Sequence, residues 1–219
     1  MTYVMSDIHG NLKRFRSVLE QIDLQPEDTL YVLGDVLDRN PYGFSVLYRL
    51  MQMPNAVMLL GNHEHMMLSA LADPEDEHMM QMWYRNGGDI THQQWKKLPT
   101  ASRQAMLRYL NRLPINVPLT VNGKDYLLVH GGPEEGWDPE TSAYPDKVTH
   151  AVWQRLDPDE VYSDRTVIFG HTPTVYYQLG RPMRIWHGKH MIGIDCGCAY
   201  DTGRLACLRL EDGMEFYAQ

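Results

Sequence analysis

No window of 18 apolar residues occurs in this 219-residue chain, and no basic segment leading into an apolar stretch precedes the first strand-like run, Tyr3-Val4-Met5. The sequence therefore predicts neither a membrane span nor an export signal. Cysteine is scarce: Cys196, Cys198 and Cys207 are an odd number in one C-terminal region, which excludes a disulfide framework and fits a reducing cytoplasm. A single residue separates Cys196 from Cys198, so the pair lacks CxxC spacing and is read as buried thiols. Basic residues are too few for a nucleic-acid binder, 20 against 28 acidic, giving a net charge of −8. The tryptophans, Trp83, Trp95, Trp137, Trp153 and Trp186, are spread out and offer no stacking platform for single strands. Internal repeats, low-complexity tracts and linkers are also missing, and the length suits a single domain over residues 1–219.

What is present is a regular alternation. A strand over about 2–5 is followed by Leu12, Phe15, Val18, Leu19 and Ile22 at helical spacing. A second strand, Thr29 to Leu33, precedes a helix carrying Phe44, Val46, Leu47, Leu50 and Met51, and a third runs from Ala56 to Leu60. Connections of this kind imply parallel neighbours with right-handed crossovers, so the three loops open on one sheet edge. Residues 73–113 read as a helical insertion forming a cap over one face, broken at Asn86-Gly87-Gly88. Beyond it lie strand-like runs at Ile115–Val121, Tyr126–Val129, Thr166–Phe169, Met191–Ile194, Leu205–Leu210 and Met214–Tyr217. Asn122-Gly123 and Asp212-Gly213 suit tight hairpins, and the expectation is a second, mostly antiparallel sheet.

Five short segments stand at the ends of these strands: Ser6-Asp7-Ile8-His9-Gly10, Gly34-Asp35-Val36-Leu37-Asp38-Arg39, Gly61-Asn62-His63-Glu64, His130-Gly131-Gly132 and Gly170-His171. One such residue alone means little, since Gly-Asp is a common turn and Asn-His caps helices. The joint pattern is different. His9, His63, His130 and His171 each follow an apolar strand-like run beside Gly, an acid or an amide, whereas His65, His78, His92, His150, His187 and His190 do not and are left as surface or supporting groups. Asp, Asn and His gathered at strand ends are what a two-metal hydrolase needs.

In order, spacing and residue type these segments resemble the motifs of the metallophosphoesterases, and within them the phosphoprotein phosphatase branch with its short bacterial and phage members. The likeness runs from about Val4 to Thr172, with Ser6 and Asn40 standing where the branch has glycine. It implies an α/β fold, a four-layer sandwich of two packed mixed sheets flanked by helices. It also implies that Asp7 and His9 hold one metal, that Asn62, His130 and His171 hold the other, and that Asp35 bridges them. Oxygen and imidazole donors without thiolate suit Mn, with Fe or Zn as alternatives. His63 is implied as the general acid, paired with Asp38, while Arg39 and, through Trp153-Gln154-Arg155, Arg155 would hold phosphate oxygens. Glu64 is read as orienting its loop, and the methionines as core packing.

The branch acts on phosphoserine and phosphothreonine in proteins, so a phosphorylated protein or peptide is the expected partner, with phosphotyrosine as an additional substrate. No membrane and no extended nucleic acid is expected. The alternative within the same chemistry is a symmetric dinucleoside polyphosphate or other nucleotide hydrolase. Members of that branch usually lack the acid before the motif Arg and carry Asp after Asn-His, whereas this chain has Asp38 and Glu64. The pair Glu134-Glu135 is read as a solvated loop that would also repel polyanions. A non-catalytic scaffold is a third reading, opposed by the presence of every ligand position and the proton donor.

Overall fold

The computed structural model describes residues 1–219. Strands β1 (Thr2–Met5), β2 (Thr29–Val32) and β3 (Ala56–Met58) are parallel, and helices α1 (Leu12–Ile22) and α2 (Gly43–Met51) make the crossovers. Met5 pairs with Val32, and Val32 with Met58, so the strands end level and their following loops share one edge, as the alternation predicts. Helix α1 begins where Asn11 accepts from the Arg14 backbone N–H and ends at Asp23, whose left-handed conformation stops it. Its Phe15, Val18 and Ile22 are buried, contributing on the order of 1.5–3 kcal/mol each.

The second sheet differs from expectation. It contains β4 (Asn116–Val121), β5 (Lys124–Val129), β6 (Thr166–Phe169), β7 (Trp186–His187) and β8 (Met191–Gly193) in the order β4-β5-β6-β8-β7. Its three central strands, β5, β6 and β8, are parallel, and only the edges are antiparallel. Between β5 and β6 runs helix α7 (Lys147–Trp153), whose seven residues are too few to display a helical period in the sequence. The last two runs, β9 (Leu205–Arg209) and β10 (Glu215–Ala218), are a hairpin of the first sheet instead, with β9 antiparallel to β1. Alternating polarity shows that a segment is a strand without showing which strand it joins. Asn122 (φ 49°) and Gly123 (φ 75°) form the expected tight turn. At the other hairpin Gly213 alone has positive φ, and Asp212 organises residues 210–214 by accepting from Arg209 and the Met214 N–H.

The two mixed sheets pack face to face, Val4, Leu33 and Leu59 of the first meeting Leu128, Ile168 and Ile192 of the second. Helices α3 (Asn62–Ala72), α4 (Glu77–Arg85), α5 (Asp89–Trp95) and α6 (Thr100–Leu110) extend the layer outside the first sheet. Their Met66, Met67, Trp83, Trp95 and Met106 share one buried cluster with Phe15 and Phe44. The segment expected to form a cap is therefore packed onto this helical layer. No helix is long and apolar enough to cross a membrane.

Candidate metal centre

Backbone conformation marks the site. Asp7, His9, Asp35, Asp38, Arg39 and His171 all adopt positive φ, between 47° and 67°. A left-handed non-glycine residue costs on the order of 1–3 kcal/mol and persists where the surroundings impose it. Here sharp turns at the strand ends point consecutive functional groups into one volume. His9 N–H donates to Asp35 O, Gly10 N–H to Val36 O and Asp7 N–H to Gly34 O, tying the first two loops together. Buried Glu64 holds the second loop: its carboxylate accepts from the backbone N–H of Asp35, Val36, Leu37 and Gly61, which is the orienting part expected of it.

Two groups of donors converge, His9 with Asp35 and His63, and Asp35 with His130 and His171; Asp35 is common to both. His9 Nδ1–H donates to Leu37 O at 3.0 Å, which leaves the Nε2 lone pair facing Asp35 Oδ2 at 3.7 Å and Asp7 Oδ1 at 3.9 Å. His130 Nδ1–H donates to Leu33 O, so its Nε2 lone pair faces Asp35 Oδ1 at 3.4 Å and Asn62 Oδ1 at 2.9 Å. His171 Nδ1 reaches the same Asn62 oxygen at 2.9 Å. The backbone carbonyls thus fix both tautomers with their bare nitrogens inward.

Acceptors aimed at acceptors repel unless a cation lies between them. Burial, then neighbouring Asp195, pushes Asp7 well above the usual carboxylate range, and burial, then Asp7 and Glu64, does the same to Asp35. Burial, followed by neighbouring His63 and Arg39, lowers His9; burial and then His171 lower His130; and burial and then Arg155 take His171 down to about 3. Buried carboxylates and neutral imidazoles with no thiolate are a donor set suited to hard or borderline divalent cations.

All six metal candidates therefore come together. Of the other four, Arg39 and Arg155 line the cleft, and His63 and Asp38 lie buried beside Arg39 and Asp35. His63 Nδ1–H donates to Asp38 Oδ2 at 2.7 Å, and Arg39 Nη2 donates to His63 Nε2 at 3.1 Å. Asp38 Oδ2 also accepts from Trp83 Nε1 at 2.9 Å, while its backbone N–H donates to Thr91 Oγ1. Burial raises Asp38 to about 7 and, with Arg39 and His130, holds His63 well below the imidazole range. The sequence expectation has the Asp38 carboxylate favouring the protonated ring; burial outweighs that effect. Arg39 and Arg155, both solvent-accessible, line a narrow cleft of about 100 Å³ with Asp7, Asp35, Asn62 and His171.

Several contributors escaped the sequence reading. Asp195, buried, raised to about 6 by that burial, lines the cleft at the end of the β8 run. The strand-end criterion that found the histidines would have found it too. Ser6, which stands in place of a glycine, donates to Asp7 Oδ2. Trp83 and Thr91 brace Asp38 from the helical insertion, a relationship that no local pattern discloses. Glu134 and Glu135 line a different cleft with Tyr162 and Arg165, which suits the solvated loop expected of them, and neither lines the cleft of the metal candidates. His150, read as a surface or supporting group, is buried on α7.

Two packed α/β sheets with carboxylates, imidazoles and an amide converging at the strand ends define a metal-dependent phosphoesterase. The chain belongs to the calcineurin-like phosphoesterase family, whose profile matches residues 2–207, and that family uses a dinuclear metal centre. It is 33% identical over 159 residues to a symmetrical bis(5'-nucleosyl)-tetraphosphatase of Acidovorax ebreus, covering 70% of this chain and 52% of that protein. It is 28% identical over 155 residues to serine/threonine-protein phosphatase 2 of Salmonella typhimurium, covering 70% and 67%. The chain thus spans about half the length of the first of these relatives. Among solved structures, a metallophosphoesterase from Sphaerobacter thermophilus superimposes with a TM-score of 0.62 at 16% identity, covering 100% of this chain and 88% of that one, which supports the fold.

Proposed function

We propose that the chain hydrolyses phosphomonoesters of serine and threonine in proteins or peptides, in the cytoplasm, where its three free, buried cysteines are at home. The observation that carries the reading is the Asp38–His63–Arg39 constellation. Asp7 and His9 would hold one metal, Asn62, His130 and His171 the other, with Asp35 between them. Two ions bound there, best suited as Mn with Fe or Zn as alternatives, would supply Lewis acidity to the phosphoryl oxygens and an activated water.

The protein groups do the rest. Arg39 and Arg155 take phosphate oxygens as bidentate donors and neutralise charge that develops in the transition state. An incoming phosphate draws Arg39 away from His63 Nε2, and its negative charge offsets the burial that keeps the ring neutral, so Nε2 takes up a proton from solvent and passes it to the leaving oxygen. Asp38, fixed by Trp83, keeps Nδ1 protonated and the ring oriented. After transfer the alcohol departs neutral and the ring returns to the tautomer seen here.

Hydrolysis of a symmetric dinucleoside tetraphosphate is the second reading, favoured by the activity named for the Acidovorax ebreus relative. Asp38 before Arg39, and Glu64 rather than Asp after His63, favour the phosphoprotein. Parallel assays with Mn²⁺ decide: kcat/KM for a phosphoserine or phosphothreonine peptide should exceed that for diadenosine tetraphosphate. A preference for the dinucleotide overturns the substrate assignment. Failure to hydrolyse even a chromogenic aryl phosphate would leave only a scaffold.

A further inference from the structure

At about 100 Å³ the cleft is smaller than the roughly 300–1,000 Å³ that encloses a whole small ligand. It is sized for the phosphoryl end of a substrate, and the group attached to the ester oxygen must lie at the mouth. Among the residues that line the cleft, Tyr176 and Tyr200 are exposed aromatics, beside Trp153, Arg155 and Asn86.

Tyr176 and its neighbour Tyr177 have opposite fates. Tyr177 stacks on Trp186 with ring centroids 4.6 Å apart, meets Phe169 edge-on and donates its hydroxyl to Leu156 O. Tyr176 is 71% exposed, and the one ring partner it has is the Arg155 guanidinium, 5.8 Å from its centroid. The short 3₁₀ turn that carries it, Thr174–Tyr176, is pinned beneath the cleft by Thr174 N–H donating to Asp195 O. Tyr200 is held by the buried Arg14 side chain, which donates to the carbonyls of Cys198, Tyr200 and Asp201. A large ring left exposed on a braced backbone beside a phosphate-binding arginine has little ordering entropy left to lose when a second ring stacks on it.

We infer that Tyr176, assisted by Tyr200, is a specificity-determining residue that holds the planar leaving group of an aryl phosphate, such as phosphotyrosine, while Arg155 beside it holds the phosphate. The inference rests on the phosphomonoesterase reading above and names the residue that would serve the phosphotyrosine expected beside phosphoserine and phosphothreonine. In phosphotyrosine the ring is bonded to the ester oxygen, so it emerges at the mouth. In a dinucleoside polyphosphate, ribose and further phosphates separate the base from the cleaved bond, which carries the base beyond this wall.

The test compares Tyr176→Leu, Tyr176→Phe and Tyr200→Leu in the Mn²⁺-loaded protein. For phosphotyrosine and phosphoserine peptides of one flanking sequence, Tyr176→Leu should raise KM for the phosphotyrosine peptide roughly threefold to tenfold, the scale of one aromatic pair. Its kcat should hold, the phosphoserine peptide should change less than twofold, and Tyr176→Phe should behave as wild type. Phenylphosphonate and methylphosphonate serve as competitive inhibitors of whichever substrate is turned over, so the result stands even if the peptide assignment fails. The Ki ratio should shift by the same factor in Tyr176→Leu and by less in Tyr200→Leu. Equal losses for aryl and alkyl compounds would mean that Tyr176 merely positions Arg155, and no loss, or a loss confined to diadenosine tetraphosphate, would also overturn the inference.

Discussion

His63 Nδ1 and Asp38 Oδ2 lie 2.7 Å apart in a fully buried pair, although 25 residues separate them in sequence. Because Trp83 Nε1 donates to the same oxygen and Asp38 Oδ1 has no partner, the carboxylate is oriented from one side. If the pair delivers a proton, His63→Asn should lower kcat by roughly 10²–10⁴ for an alkyl phosphate. An aryl phosphate with an acidic leaving group needs that proton less and should lose less. Equal losses on both would make His63 a positioning group.

Asp35 is common to both donor groups, whereas His9 belongs to one. Asp35→Asn should therefore cost more activity than His9→Ala, and chelator should abolish turnover reversibly. Since cations relieve the repulsion among Asp7, Asp35 and Asp195, loading with Mn²⁺ should also raise Tm by mass action. A Tm indifferent to Mn²⁺, together with full turnover after exhaustive demetallation, would remove the metal reading.

The indole of Trp83 fits only because residue 88 has no side chain: a Cβ at Gly88 would lie 2.1 Å from Trp83 Nε1. Gly88→Ala should displace the indole and lower kcat through Asp38, while KM, set at the arginines, changes less. Trp83→Phe removes the donor from a buried carboxylate and should cost about 1–3 kcal/mol. Urea unfolding and steady-state kinetics read both variants; unchanged kcat in Gly88→Ala would detach the helical insertion from the chemistry.

Asp146 caps α7, accepting from the Thr149 N–H and hydroxyl. Burial acts to raise its pKa, but the bonds from Thr149 outweigh it and the carboxyl sits below the usual range. A depressed folded-state pKa stabilises above the unfolded value and is lost as pH falls through the folded one. Asp146→Ala should thus cost about 0.5–2 kcal/mol at neutral pH, a difference that shrinks as pH falls below about 4. Denaturant unfolding of both proteins at several pH values checks it; a constant difference would contradict the charged cap.

By itself the sequence determined the βα alternation of the first 72 residues, the level strand ends and the polar residues that meet there. Those features are local: apolar period, a glycine or acid at a strand terminus, a cap. It did not disclose that β9 and β10 return to the first sheet, because a period-2 pattern is the same whichever neighbour a strand finds. Nor did it disclose that Trp83 and Thr91 brace Asp38, or that Glu134 and Glu135 line a cleft of their own. Each depends on where an element lands after packing, and that is decided by the summed burial of two sheets and their helices, which no stretch of neighbouring residues encodes.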